Sequence, residues 1–429
     1  MKYVLFYISA LLILSSCRQQ EKTIVEPAFA DSLLLHYSAS QSEQTAQNNL
    51  LFWQKRLDSL PENFVNGPKY ASALMTRFRL YGNIHDLLEA DSLMQQSNLA
   101  NQGKEDELLL TLANLALMRH QFSQAIQYVE KAKQISGKKY GTVMMDFDAV
   151  FEAGQYDKAA TILKSLRQDG SYAYFFRRSK YEHYAGSLDS AIAYMLMAAE
   201  KAGNNRQLKQ AALSNAADLC VHKGNLEKAY LLYKESIEID AADFHSITGL
   251  GWIALVHDKN DSLAEKIFSF VHKHTLSPDV LLKMEQVAEA RNDSLSQKKW
   301  AEEFVAQAGQ SLYGNMYNKY LIRLYTEILN EPAKAVKLAE QEIKNRPSPQ
   351  TYAWLAWACF MNKDKEKAYL IFKTIVSGKP LEGLELYYMG KLLKSMDKGY
   401  NAQQYFKAAY KNRYDLSPAQ VNDLEKNLE

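Results

Sequence analysis

Ten small residues recur along this chain at a nearly constant interval. They are Ala90, Ala125, Ala159, Ala191, Ala229, Ala264, Ser296, Ala335, Ala368 and Ala402, with successive gaps of 35, 34, 32, 38, 35, 32, 39, 33 and 34 residues. A period near 34 is far longer than a helical turn or a strand repeat, so it is the period of a supersecondary unit. A unit this short cannot bury its own apolar face. It is stable only when stacked on copies of itself, and in such a stack each copy is expected to pack on its neighbours alone.

The stretch from Leu213 to Asp240 shows what the unit is. Leu213, Ala216, Ala217 and Cys220 form one apolar stripe, and Leu226, Ala229, Tyr233, Ser236 and Ile237 form another. Both have helical spacing, and a Lys-Gly-Asn turn separates them. Small residues sit where two helices would cross closely: Ala217 in the first and Ala229 in the second. Four residues after the periodic small residue comes a large one, as at Met94, Val129, Leu163, Met195, Tyr233, Phe268, Trp300, Phe372 and Phe406. First helices carry a small residue before the turn, as at Ala113, Ala217, Ala356 and Gly390. Turn dipeptides between alternating apolar runs are missing, which argues against sheet.

This in-phase pattern resembles the tetratricopeptide repeat over about residues 70–414. The resemblance implies an all-α, right-handed superhelical solenoid of about ten helix-turn-helix repeats. Flanking helical patterns at Ser32–Tyr37 and Leu50–Leu60 are expected to cap the first repeat, so that residues 31–69 form an N-terminal cap. Ser417-Pro418 opens a polar helix, making 415–429 the expected C-terminal cap.

The chain begins with Lys2, an apolar run to Leu14, and Ser-Ser-Cys. A basic start, a short apolar core and a small-residue end make a secretory signal. Leu14-Ser15-Ser16-Cys17 is similar to a bacterial lipobox. That similarity implies a signal peptide over 1–16, lipidation of Cys17, and a tether over 17–30 that holds the solenoid off a membrane. Arg18 in place of aspartate implies outer-membrane delivery by the enterobacterial sorting rule, with the solenoid facing the periplasm. The other two cysteines, Cys220 and Cys359, occupy the same buried place in two repeats, four repeat steps apart. They read as small apolar residues, with no disulfide between them.

A net charge of +2 over 429 residues offers no basic footprint for nucleic acid. The nine histidines form no HExxH motif and no Cys-His cluster, so neither a metal nor another cofactor is expected. Ser-Gly-Lys at 136–138 and 377–379 lacks the earlier glycine of a phosphate loop, Gly249-Leu250-Gly251 lies inside a helical pattern, and GxSxG is missing. No catalytic residues are assigned.

The chemistry left is that of a binding surface. In tetratricopeptide proteins the first helices line a concave groove that holds peptides or partner helices. The inward positions expected here are Phe176, Lys180, His183, Asp218, Tyr317, Tyr320, Trp357, Phe360, Tyr387, Lys391 and Lys394. Tyr320, Trp357 and Tyr387 recur on one face of nearby repeats and are the expected aromatic anchors. The function this implies is a membrane-anchored, non-catalytic scaffold of the bacterial cell envelope, with a protein or peptide as its partner. The alternative is an outer-membrane lipoprotein that binds glycans or other nutrients on an aromatic platform.

Overall fold

The computed structural model describes residues 23–166, 170–396 and 401–429. Among these, every regular element is helical. Helices α1 (Pro27–Leu35) and α2 (Gln41–Ser59) come first. Ten helix pairs follow: α3 (Asn66–Tyr81) with α4 (Ile84–Ala100), α5 (Asp106–Met118) with α6 (Phe122–Ser136), α7 (Tyr140–Glu152) with α8 (Tyr156–Leu166), α9 (Tyr172–Tyr184) with α10 (Leu188–Lys201), and α11 (Arg206–Lys223) with α12 (Leu226–Ile239). The second five are α13 (Phe244–Val256) with α14 (Asp261–His274), α15 (Asp279–Ala290) with α16 (Ser294–Ala308), α17 (Asn318–Glu327) with α18 (Pro332–Asn345), α19 (Pro349–Met361) with α20 (Lys365–Ile371), and α21 (Gly383–Lys394) with α22 (Ala402–Lys411). The last helix is α23 (Pro418–Leu428).

Each periodic small residue lies in a second helix. Eight of the ten are fully buried, while Ser296 and Ala402 are half-buried. The large residue four positions on packs into its partner helix where that helix is thin. A Cβ added at Gly390 would lie 2.6 Å from the Phe406 ring, and one at Gly251 would lie 2.5 Å from Phe268. Burying a phenylalanine this completely contributes about 1.5–3 kcal/mol. The turn within each pair reverses the chain through one left-handed residue. In the nine turns described, that residue is Gly82, His120, Gly154, Gly186, Gly224, Lys259, Asn292, Asn330 or Lys363. An Asn, Asp or Ser side chain then caps several of the following helices, as Asn225 accepts from Lys228 N and Asp364 from Lys367 N.

The stack does not stay one repeat deep. Leu276 N donates to the Tyr81 carbonyl at 2.6 Å, and Ser277 lies against Gly82. Ser348 and Arg346 lie against Gly154, and the Tyr414 ring lies against Gly224. The partners in these glycine contacts are 195, 194 and 190 residues apart for Gly82–Ser277, Gly154–Ser348 and Gly224–Tyr414. The superhelix therefore returns on itself about every six repeats. Asn345 bridges the same gap, donating to the His120 carbonyl at 2.8 Å and accepting from Phe122 N at 3.3 Å. This corrects the expectation of neighbour-only packing. Repeats that curve tightly enough bring their edges within hydrogen-bond reach one turn later.

Both ends depart from the expected boundaries. Of the expected tether, residues 24–30 are docked rather than loose. Ile24 N and Val25 N each donate to the Asp258 carboxylate at 2.9 Å, and Val25 and Ala30 are 1% exposed. Helix α1 crosses to α12 and α14, where Phe29 meets the edge of Tyr230 and Tyr37 meets Phe270 and His274. Only α2 covers the first pair. Buried Glu43, held in a capping box with Ser40, accepts the hydroxyls of Tyr37 at 2.7 Å and Tyr81 at 2.9 Å. At the other end α23 buries Leu424 and packs against α15 and α22. Residues 1–22, with Cys17 among them, lie outside the described residues.

Candidate functional site: a cavity on the inner face

The first helices of four successive pairs, α11, α13, α15 and α17, turn one face toward the superhelix interior. Together with residues before α21 and around α23 they enclose a cavity of about 410 Å³. That falls within the range of small-ligand sites, about 300–1,000 Å³. A second cavity of about 360 Å³ adjoins it, sharing His245, Thr248 and Asp279.

The lining is charged, and most of the charge is paired. Asp218 accepts from the Tyr233 hydroxyl at 2.6 Å and pairs with His245 Nε2 at 2.8 Å. His245 is pushed up to about 9 by the Asp218 charge, against the opposing effect of burial. Burial pulls His222 down, but Asp415 at 2.5 Å more than restores it, to about 9. Lys319 pairs with Glu382 and Glu385, each at 3.4 Å, and draws Glu382 down to about 2. Arg323 pairs with Glu285 through Nη2. Asp279 accepts from Ser277 Oγ and from the Tyr317 hydroxyl.

Lys283 is different. Among the described residues it makes no ion pair, and its ammonium sits 3.8 Å from the centre of the Trp252 ring. Burial, together with the nearby Arg323 guanidinium, pulls it down to about 8. Two buried atoms of residues on this wall have no hydrogen-bond partner within the protein: Nη1 of Arg323, a residue only 6% exposed, and Oε1 of Gln286.

The expected groove residues divide into five sets. Asp218 and Tyr320 line the cavity. Tyr317 borders the adjoining one but is 8% exposed, packed against Phe304 and Tyr313. His183 lies beside His222, its ring centre 4.9 Å away, and is pulled down by burial and by that neighbour's charge. Phe176 and Lys180 lie on α9, away from the cavity lining. Phe176 stacks on Tyr172, while Lys180 pairs with Glu152 at 2.6 Å over the Phe151 ring.

The remaining positions correct the expected aromatic face. Trp357 is 4% exposed, stacked on Tyr388 with ring centres 4.2 Å apart, and its Nε1 donates to Thr326 Oγ1 at 3.1 Å. Tyr387 is 7% exposed because α23 covers it, and its hydroxyl donates to Asp423 at 2.7 Å. Lys391 pairs with the same Asp423 at 2.8 Å, and Lys394 bonds Asn427 at 2.7 Å. Phe360 borders a shallow depression with these two lysines. The terminal helix thus occupies the inner face of the last pair.

Sequence reading missed Trp252, Lys283, Gln286 and Arg323. Trp252 and Gln286 were within reach, for they follow Asp218 at intervals of 34 residues, in the register of two successive repeats. Arg323 follows at 37, where the repeat itself lengthens to 39.

The ten in-phase helix pairs make this chain a tetratricopeptide-type α-solenoid. No family model matches it, and no curated protein matches it. Among solved structures it is similar to the Cut9–Hcn1 hetero-tetramer of the APC/C, at 14% identity and a TM-score of 0.49, covering 89% of this chain and 69% of that one. It is also similar to the human IFIT1 dimer with PPP-AAAA, at 11% identity and a TM-score of 0.48, covering 77% and 78%. A tetratricopeptide repeat protein from Parabacteroides merdae is similar at 17% identity and a TM-score of 0.35, covering 64% and 98%. No ligand is carried over from any of them.

Proposed function

We propose that the protein is a lipid-anchored, non-catalytic scaffold of the bacterial cell envelope that holds a protein or peptide partner. The observation that carries this reading is the wall of charged and aromatic side chains that successive first helices turn toward one cavity, Asp218, Trp252, Lys283 and Tyr320 among them. A closed superhelix presents such a wall without the ordering cost that a flexible surface would bear. The residue pattern at Lys2–Cys17 supports the anchor, with the outer membrane as its destination and the solenoid facing the periplasm. The glycan alternative has less support, because repeats fill nearly the whole of residues 70–414; the burial of Trp357 and Tyr387 removes two of the three expected groove anchors under either reading.

The test is crosslinking in intact cells followed by envelope fractionation. The protein is expected in the membrane fraction, crosslinked to an envelope protein. Cys17→Ser is expected to release it, and a Lys283→Gln, Tyr320→Ala double variant to lose the partner while staying anchored. Wild-type protein found soluble, or free of any envelope partner, overturns the reading.

A further inference from the structure

We propose that helix α23 is a proton-operated cover: with Glu327 and Glu289 protonated it stays on the inner face of the last pair, and their ionisation releases it. Release uncovers Tyr387 and takes Asp423 and Asn427 away from Lys391 and Lys394. The proposal goes beyond the scaffold reading and does not depend on it.

The seat of α23 is built from carboxylates held by neutral donors. Ser417 and Gln420, which open the helix, are both buried. Gln420 Oε1 accepts from Ser417 N at 3.0 Å, completing the capping box. The same side chain turns its Nε2 to both oxygens of Glu327, at 3.1 and 3.0 Å. One residue earlier, Ala419 N donates to Glu289 Oε2 at 3.1 Å. Glu327 also accepts from the Tyr388 hydroxyl at 2.6 Å, and Gln297 Nε2 reaches Glu289 at 3.5 Å. Among the described residues neither carboxylate makes an ion pair.

The charged groups around this seat leave the two acids unbalanced. The cation that faces both is Arg323 on α17, and Glu285 on α15 already holds its Nη2. From α21 come the hydroxyls of Tyr387 and Tyr388, and Glu385, which is paired with Lys319. On α23 itself, Asp423 is paired with Lys391. With every acid ionised, three carboxylates share one guanidinium where water is scarce. Burial pushes Glu327 up to about 7, and burial together with Glu285 raises Glu289.

The direction of the switch follows. With α23 seated, Glu327 stands above its ordinary 4.5, so seating takes up a proton. That contribution is complete below pH 4.5 and is lost as pH rises through about 7. Little else fastens the helix. Leu424 is the one apolar side chain it buries fully, Val421 and Leu428 are half-buried, and the Lys391–Asp423 pair is open to solvent.

Hydrogen exchange over residues 418–428, corrected for the intrinsic pH dependence of exchange, reads the seating equilibrium. His222→Gln is the background, because the His222–Asp415 contact titrates in the adjoining loop. In it, protection of α23 is expected to fall about tenfold between about pH 6 and pH 8.5. Adding Glu327→Gln, which keeps an acceptor for Tyr388 and Gln420 but carries no charge, is expected to remove most of that fall. Adding Glu289→Gln instead is expected to move the midpoint to lower pH, since the like charge beside Glu327 is gone. Helix α6, remote from the seat, is the internal reference. A fall that α6 shares equally, or that Glu327→Gln leaves intact, overturns the proposal. So does level protection across the range in a chain of native helicity. These measurements need no partner and no membrane, so their failure is distinct from failure of the scaffold reading.

Discussion

The imidazole of His222 and the carboxylate of Asp415 stand 2.5 Å apart, 193 residues distant in sequence. They join α11 to the loop before α23, across one turn of the superhelix. This contact makes closure pH-dependent, and the sign follows from the direction of the shift. His222 is held at about 9 in the folded chain, above its value near 6.5 when unfolded. Its stabilisation is complete below pH 6.5 and disappears as pH rises through 9. With the ring 29% exposed, a loss on the order of 2 kcal/mol is expected. Melting temperature recorded across that range checks this. His222→Gln should flatten the curve in part, leaving the contribution of His245, which Asp218 also holds at about 9.

Gly82 tests the return of the superhelix by shape rather than charge. Its φ is +69°, and a Cβ there would lie 2.7 Å from Ser277 Cβ and 2.9 Å from Ser277 Cα. Gly186 has a similar φ of +78° with nothing within 4 Å of a Cβ. Gly186→Ala should therefore cost only the backbone term, about 1 kcal/mol. Gly82→Ala should cost about 2 kcal/mol or more, because the neighbouring turn must shift as well. Urea denaturation of the two variants gives the comparison. Faster hydrogen exchange at Leu276 N in the Gly82 variant alone would place the damage at the inter-turn contact.

The aromatic residues offer a third test, since the sequence reading treated Tyr320 and Trp357 as equals. Trp357 is packed and hydrogen-bonded, whereas Tyr320 is 39% exposed. Trp357→Ala should cost about 3–5 kcal/mol and Tyr320→Ala less than about 1 kcal/mol. Chemical denaturation midpoints settle this directly. Equal losses would mean that the Tyr320 side chain is structural after all.

These contrasts show which information a sequence holds. The repeat was legible because its signal is local. Ala229 and Tyr233 are four residues apart, and the same pair of sizes recurs in nine of the ten repeats. Asp218 and Tyr320 were legible because the register placed them on the inner face. The cover over Tyr387 was not, since it depends on Asp423 lying 36 residues away on a helix whose polar sequence reads as a solvated end. The closure was hidden for a sharper reason. Nothing in the residues around Gly82 announces Ser277, because the meeting of the two depends on a small curvature summed over about six repeats. The unpaired state of Lys283 was invisible likewise, as it is known only once every other charge on the wall has found its partner.

The docking of the N-terminal segment gives the last test, and it bears on where an anchor at Cys17 would hold the solenoid. Asp258, whose side chain is 1% exposed, is the acceptor for two consecutive backbone amides, Ile24 N and Val25 N, and also meets His257 Nδ1 at 2.8 Å. Two hydrogen bonds to one carboxylate are worth about 3 kcal/mol or more, enough to decide whether a short helix stays down. Asp31 and Lys266 pair nearby, but both are 55% exposed. Asp258→Ala should therefore release residues 23–37, while Asp31→Asn should leave them in place, because an exposed pair contributes little. Limited proteolysis followed by mass spectrometry distinguishes the two. Early cleavage between α1 and α2 is expected in the Asp258 variant alone, with the rest of the solenoid intact. If Asp258→Ala resists cleavage as the wild type does, the apolar contacts of Val25, Phe29 and Ala30 are sufficient on their own to fix the arm.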